Sequence, residues 1–324
     1  MVNSILKLFN DPVEILSEPH PTFPLAGEIG IPEAFEGDEP NWDMLRVLWG
    51  DSIYINGNTP LEWKEVVATI PNLDEILANS QDKAPITFPI YKTDSFTIQA
   101  QRKGKFSNRD YLETGIHGFV KIDNKLLIGV RGGSESIGEL IAVPSGAVLY
   151  GGGSDIISDA VYHEAMEEAG ICKNSIRDLN LIGIFRQDTS TPSNMFVYTL
   201  QLEDGTEILE NHTRIMELYN RTKSEFRGTP IETEFAAREA LKVEAKLNGD
   251  PRYLVDAWEN EKLELISNEP DAICGRVREV VNAFRLKHSM YGSLFTYFMN
   301  EFGQKYAEGL MDLPTFRDNL VIPE

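Results

Sequence analysis

Basic residues are scarce in this chain. Lys and Arg number 30 against 51 Asp and Glu, a formal net charge of −21 at pH 7 over 324 residues. Such a surface repels phosphate backbones, which argues against nucleic acid as a bulk partner. Cysteine is nearly missing as well. Cys172 and Cys274 are the two present, too few for a disulfide framework and suited to a reducing, cytoplasmic setting. No apolar run approaches the ~18 residues of a transmembrane helix, so no membrane partner is expected. The stretch from Met1 to Lys7 has no basic start followed by an apolar core, so no secretion signal is read there. The chain also has no internal repeat.

What is present is an ordinary globular composition, 42% hydrophobic and 25% charged, in a chain long enough for one large domain or two ordinary ones. The most informative stretch is His163-Glu164-Ala165-Met166-Glu167-Glu168-Ala169-Gly170-Ile171. Its carboxylates fall at i, i+3 and i+4, and at 100° per residue they share one helix face. Tyr162, Ala165, Met166 and Ala169 point roughly the other way, toward a sheet. Like charges at i,i+4 cost a few tenths of a kcal/mol. A bound hard cation would reverse that sign, because Mg²⁺ selects oxygen ligands.

Residues 1 to about 110 are rich in proline and glycine and read as a small α+β module. Strands are expected near Ser52 to Ile55 and Ser95 to Gln99, and helices at Leu61 to Val67 and Leu73 to Ala78. The polar stretch from Lys103 to Arg109 is a candidate boundary. Beyond it, Gly115 to Ile122 and Leu126 to Arg131 form a hairpin around Asp123-Asn124-Lys125. A loop at 132–136 and a short strand, Leu140 to Gly146, follow. Ser154 or Asp155 caps a helix from Ile156 to Ala169, and Gly170 closes it. Strands are expected at Leu179 to Phe185 and Met195 to Leu202. Residues 206 to about 252 are charged and helix-favouring. A strand from Lys262 to Ile266 comes next, then a helix from about Asp271 with Val277, Val280, Val281 and Phe284 on its apolar side. A further aromatic helix covers Tyr291 to Tyr306, and the last dozen residues read as a loose tail.

These residues resemble the Nudix hydrolase family. The family box reads Gly, five residues, Glu, seven residues, then Arg-Glu-hydrophobic-x-Glu-Glu-x-Gly-hydrophobic. Glu164, Ala165, Glu167, Glu168, Gly170 and Ile171 match its second half, and Pro144-Ser145-Gly146 stands where the family often has Pro-Gly-Gly. The resemblance covers about residues 112 to 290, with the helical stretch after Leu202 as an insertion. It departs at His163, which occupies the box arginine, and at Asp155, which falls at the first box glutamate. The loop before the helix is about three residues longer than usual if Gly146 is the box glycine.

The resemblance implies an α/β/α sandwich with a mixed sheet at 111–324, preceded by the module at 1–110. It implies hydrolysis, assisted by Mg²⁺ or Mn²⁺, of a diphosphate in a nucleoside-diphosphate-linked small molecule such as ADP-ribose, a dinucleotide or a nucleotide sugar. Glu164, Glu167 and Glu168 would hold metal, with Glu164 and Glu168 central to catalysis. Glu259 or Glu261 would supply a further acid. Arg131 and Arg186 would meet substrate phosphates or form surface ion pairs. Asp155 would be a helix cap or lie in the metal's surroundings, and His163 would support the glutamates rather than act on substrate. Phe185 and Trp258 would pack in the core or stack on a base. Gly151-Gly152-Gly153 is not a P-loop, since no Lys-Ser/Thr follows it. The altered positions also suit a rival, a Nudix-like protein that binds a nucleotide ligand without hydrolysing it. An acidic interaction protein is the third reading. The aromatic C-terminal helices leave room for a homodimer.

Overall fold

A computed structural model describes residues 2–9, 15–20, 54–55, 59–60, 65–69, 73–79, 86–94, 112–131, 139–149, 155–188, 193–228, 230–248, 259–282 and 286–322. Several expectations lie outside them: the Ser95 to Gln99 strand, the boundary at 103–109, the loop at 132–136, Gly151 to Ser154, Trp258 and Phe284.

Among the described residues the strands are β1 (Val2–Leu8), β2 (Ile15–His20), β3 (Tyr54–Ile55), β4 (Thr59–Pro60), β5 (Glu65–Thr69), β6 (Ile86–Asp94), β7 (Leu112–Ile122), β8 (Lys125–Arg131), β9 (Leu140–Ala142), β10 (Ser145–Ala147), β11 (Ile176–Asp188), β12 (Ser193–Leu202), β13 (Asn260–Ser267) and β14 (Leu320–Val321). The helices are α1 (Leu73–Asn79), α2 (Ile156–Ala169), α3 (Thr206–Glu225), α4 (Pro230–Asn248), α5 (Pro270–Asn282), α6 (Ser289–Glu301), α7 (Gln304–Met311) and α8 (Pro314–Asn319).

Twelve strands form one mixed sheet, with β14-β1-β11-β12-β7-β5-β6-β2 as its spine. β7 and β12 run parallel at its centre, and β11 returns antiparallel to β12. The β7–β8 hairpin is paired only at its tip, Lys121 with Leu126 and Ile122 with Lys125. β8 then leaves β7 and takes β9 on one side and β13 on the other, while β10 takes its place beside β7. This divergence opens the sheet where β8, β10 and β13 end. Residues before 110 supply β1, β2, β5 and β6 to the same sheet.

Each face of the sheet is covered. One core joins α2 (Ile157, Val161, Ala165, Ala169) and α1 (Leu73, Leu77) to Ile116, Val120 and Phe196 of the central strands. The other joins Val277 of α5, Leu294, Phe295 and Phe298 of α6 and Phe316 of α8 to Phe119, Phe185 and Val197. Helices on both faces of a mixed sheet make an α/β/α arrangement, as the sequence implies. α3 and α4 pack on each other through Ile215, Tyr219, Ala237 and Leu241. Phe185 is fully buried, which settles it as a core residue.

Two local expectations fail. Glu65, Val66 and Val67 lie in β5, not a helix, because β-branched Val66 and Val67 pair with Thr93 and Lys92 of β6, and Ala68 and Thr69 go on to pair with β7. The last residues are no loose tail: α8 buries Phe316, and β14 adds to β1 in parallel.

Candidate functional site

α2 forms where the sequence places it. Asp155 is its N-cap residue, with no side-chain cap hydrogen bond, so the cap reading of Asp155 gains no support from its side chain. Gly170 adopts φ 66°, and the Gly170 and Ile171 amides return to Met166 and Ala165 carbonyls at 3.0 Å each. That left-handed close favours glycine and stops the helix directly after the acidic turn.

The buried face of α2 differs from the expected one. It runs through Ile157, Val161, Ala165 and Glu168, spaced i, i+4, i+8 and i+11. Tyr162 and Met166 are only half-buried. The helix is therefore rotated so that one glutamate points inward.

Glu168 is 2% exposed. Its Oε2 accepts the Ser145 backbone N–H at 3.0 Å, from the first residue of β10. Burial pushes its carboxyl well above the ordinary carboxylate range, and the nearby Glu164 and Glu259 carboxylates push the same way. Arg131 and the Ser145 amide pull it back in part. Glu164, one turn earlier, lies against the backbone of Gly146. A Cβ built at Gly146 would stand 2.4 Å from the Glu164 Cδ, so a side chain there would collide with the carboxylate.

Glu259 reaches this centre from the residue before β13. Its Oε2 accepts both terminal nitrogens of Arg131, at 3.3 and 3.1 Å. Arg131 and Asn260 are cross-strand partners, which brings the pair together at the mouth between β8 and β13. Arg131 thus meets a carboxylate here.

The remaining candidates are placed elsewhere. Glu167, half-buried, stands 3.3 Å from His163 Nε2, an i,i+4 contact along α2. Glu261 is exposed on β13. Arg186 sits on β11, two strands away from β7, and its Nε donates to Asn194 Oδ1 at 3.3 Å. Among the described residues no three His, Cys, Asp or Glu side chains are grouped closely enough to hold one ion.

The sequence did not point to four further neighbours. Ser145 supplies the amide to Glu168, yet its own Oγ is buried without a hydrogen-bond partner among the described residues. Asn260 is buried, its Oδ1 likewise unpartnered. Its carbonyl meets His212 Nε2 of α3 at 2.9 Å. His117 of β7, the cross-strand partner of Ser145, is buried beside Ser293 of α6 and held down to about 3 by burial and by the Lys287 and Arg131 charges. The Pro144-Ser145-Gly146 turn was a signal for Ser145. For the other three no local signal exists.

No protein-family model matches this chain, and no curated protein matches it either. Solved structures that align with it include a protein from Deinococcus radiodurans, at 17% identity over 52% of this chain and 73% of that one, with a TM-score of 0.30. A NUDIX-family hydrolase from Clostridium perfringens aligns at 11% identity over 61% and 97%, TM-score 0.29. The NUDIX domain of NrtR from Shewanella oneidensis, complexed with ADP ribose, aligns at 14% over 40% and 70%, TM-score 0.24. Two of these three are described as NUDIX proteins.

Proposed function

We propose that this chain hydrolyses a diphosphate bond in a nucleoside-diphosphate-linked small molecule, assisted by Mg²⁺ or Mn²⁺. One observation carries the reading: the buried Glu168 carboxyl, anchored by the Ser145 amide and pressed by Glu164 and Glu259. Gathering carboxylates in a buried place costs free energy unless a positive partner joins them. Arg131 is one such partner, and it is bonded to Glu259.

The donors fit a hard cation in kind, since all are carboxylate oxygens, and Mg²⁺ is commonly held by one or two carboxylates with substrate phosphates completing its shell. Glu164 and Glu168 would hold it. When bound, the cation neutralises diphosphate charge and makes a water easier to deprotonate. The chain's own residues supply the rest. Ser145 fixes one oxygen of Glu168. Arg131 steers Glu259 to the mouth, where its carboxylate can accept a proton from the attacking water. The water oxygen joins one phosphorus, the bridging P–O bond breaks, and two phosphate-bearing products leave.

The rival is a ligand-binding protein without turnover. It is favoured by His163, which stands where the family box has arginine and meets Glu167 at 3.3 Å. The test is a screen of the purified chain against ADP-ribose, dinucleotides and nucleotide sugars with Mg²⁺ or Mn²⁺, following phosphate-containing products, with Glu168→Gln as control. Turnover abolished by that substitution supports hydrolysis. Ligand binding without turnover on any compound supports the rival.

A further inference from the structure

A groove of about 620 Å³ runs between α3 and β13. Its floor is apolar, made by Leu209, Met216 and Leu263, and its rim carries Thr213, Glu217 and Glu261. That volume lies within the roughly 300–1,000 Å³ typical of small-molecule sites, and a mostly apolar lining with a few polar groups is their usual chemistry.

The groove is joined to the carboxylate centre through three consecutive residues. Glu259 bears on Glu168, Asn260 is buried, and Glu261 lines the groove. Two strand residues span roughly 6–7 Å. The His212 side chain, also on the groove wall, is hydrogen-bonded to the Asn260 carbonyl at 2.9 Å, so α3 is tied to the strand at this junction. α3 and α2 also share one core, in which Ile208, Leu263, Val161 and Ala165 take part. Both sites therefore lie on one face of the sheet, and a molecule held at Glu168 has this groove beside it.

The charge of the groove selects what enters. Glu217 and Glu261 repel anions. The lining cation, Lys262, is 3.0 Å from Glu264 Oε1 and is already compensated. A further phosphate is thus disfavoured. A neutral group is favoured if it has a flat apolar face for Leu209, Met216 and Leu263 and hydroxyl or amine donors for the rim carboxylates. A nucleoside has both.

We propose that the α3–β13 groove receives the neutral nucleoside end of the substrate, and that α3 is the specificity element of the chain. The proposal rests on the hydrolase reading for the position of the diphosphate. Nucleoside binding itself can be measured without turnover. The probes are adenosine and uridine, titrated into the full chain labelled at the methionine methyl groups and followed by NMR, with Met216→Leu used to assign the Met216 signal. At least one nucleoside is expected to shift that signal, and inorganic pyrophosphate to leave it in place. Thr213→Trp, at an exposed rim position, is expected to weaken nucleoside binding at least tenfold, and Glu217→Gln tests the same rim without added bulk. Glu168→Gln is expected to leave nucleoside binding intact.

A Met216 signal that no nucleoside moves, or that inorganic pyrophosphate moves instead, overturns the proposal. So does Thr213→Trp binding as tightly as the unaltered chain while its folding, judged by circular dichroism, is unchanged. If nucleosides bind at Met216 and no diphosphate compound is turned over, the hydrolase reading fails and the groove stands. If turnover is found and Met216 stays silent, the groove fails and the hydrolase reading stands.

Discussion

The Ser145 amide donates to Glu168 Oε2 at 3.0 Å, so the first residue of β10 holds the one glutamate of α2 that faces inward. This hydrogen bond favours the ionised carboxyl, while burial and the Glu164 and Glu259 charges oppose it more strongly. The balance has consequences for stability.

Glu168 holds its proton in the folded chain at pH values where the unfolded chain has lost it. Stability therefore falls as pH rises from the ordinary value of 4.5 through the raised folded one. Without divalent cation, Glu168→Gln is expected to flatten that fall and to be more stable than the unaltered chain on its alkaline side. Urea unfolding at several pH values with EDTA checks this. Adding Mg²⁺ should stabilise the unaltered chain on the alkaline side and leave Glu168→Gln unmoved. A Gln variant that loses stability equally at every pH would sink the argument.

Gly146 and Glu164 are coupled by contact. A methyl group at 146 would stand 2.4 to 2.7 Å from the Glu164 carboxyl atoms, so that side chain must swing away. Gly146→Ala is expected to keep the fold at little cost in stability, because the atoms that must move are the end of a flexible side chain, and to lower turnover at least tenfold. Steady-state kinetics with a thermal unfolding control would check it. Gly309, whose added Cβ meets nothing within 4 Å, is the reference site, and Gly309→Ala should leave turnover unchanged.

The sequence disclosed α2 because its signals are local: a 14-residue stretch, an acidic triplet and a closing glycine. It disclosed the β7–β8 hairpin for the same reason. It did not disclose that Glu168 is buried, because that depends on how α2 is rotated against the sheet. Arg131 and Glu259 are 128 residues apart, and only the β8–β13 pairing brings them together. β5 is not legible locally, because a short run such as Leu61-Glu62-Trp63-Lys64-Glu65-Val66-Val67 satisfies helical spacing as well as strand propensity. Neighbouring strands decided it. β14 has two residues, too few for any periodicity.

His117 gives an opposite pH signature. Burial, with the Lys287 and Arg131 charges, holds it at about 3 against an ordinary 6.5, so it is neutral in the folded chain. The unfolded chain takes up this proton first as pH falls. The contribution is thus complete above pH 6.5 and is lost progressively as pH falls toward 3, in total about 5 kcal/mol at 1.36 kcal/mol per unit. His117→Gln is expected to cost stability at pH 7.5, because Gln fits the Ser293 contact imperfectly, and to narrow the gap between pH 7.5 and pH 5. Denaturant midpoints at the two values would show it. An unchanged gap would remove His117 from the account.

The C-terminal segment supports the sheet from its edge. Phe316 of α8 is fully buried and meets Tyr291 of α6 edge-on, with ring centroids 4.8 Å apart. Leu320 then opens β14 opposite Asn3, and the Asn3 side-chain Nδ2 donates to the Asn319 carbonyl at 3.1 Å. β1 and β14 are thus joined beside β11. Phe316→Ala removes an aromatic side chain from the core and leaves a cavity, at a cost of roughly 3–5 kcal/mol. The expected outcome is a lowered denaturant midpoint. Turnover per folded molecule should hold, since α8 packs on the face of the sheet opposite α2. A truncation after Leu313 should destabilise the chain at least as much, because it removes Phe316, Leu320 and the β14 pairing together. If the truncated chain unfolds at the same denaturant concentration as the whole one, the last residues hold nothing in place and the pairing of β14 with β1 has no energetic weight.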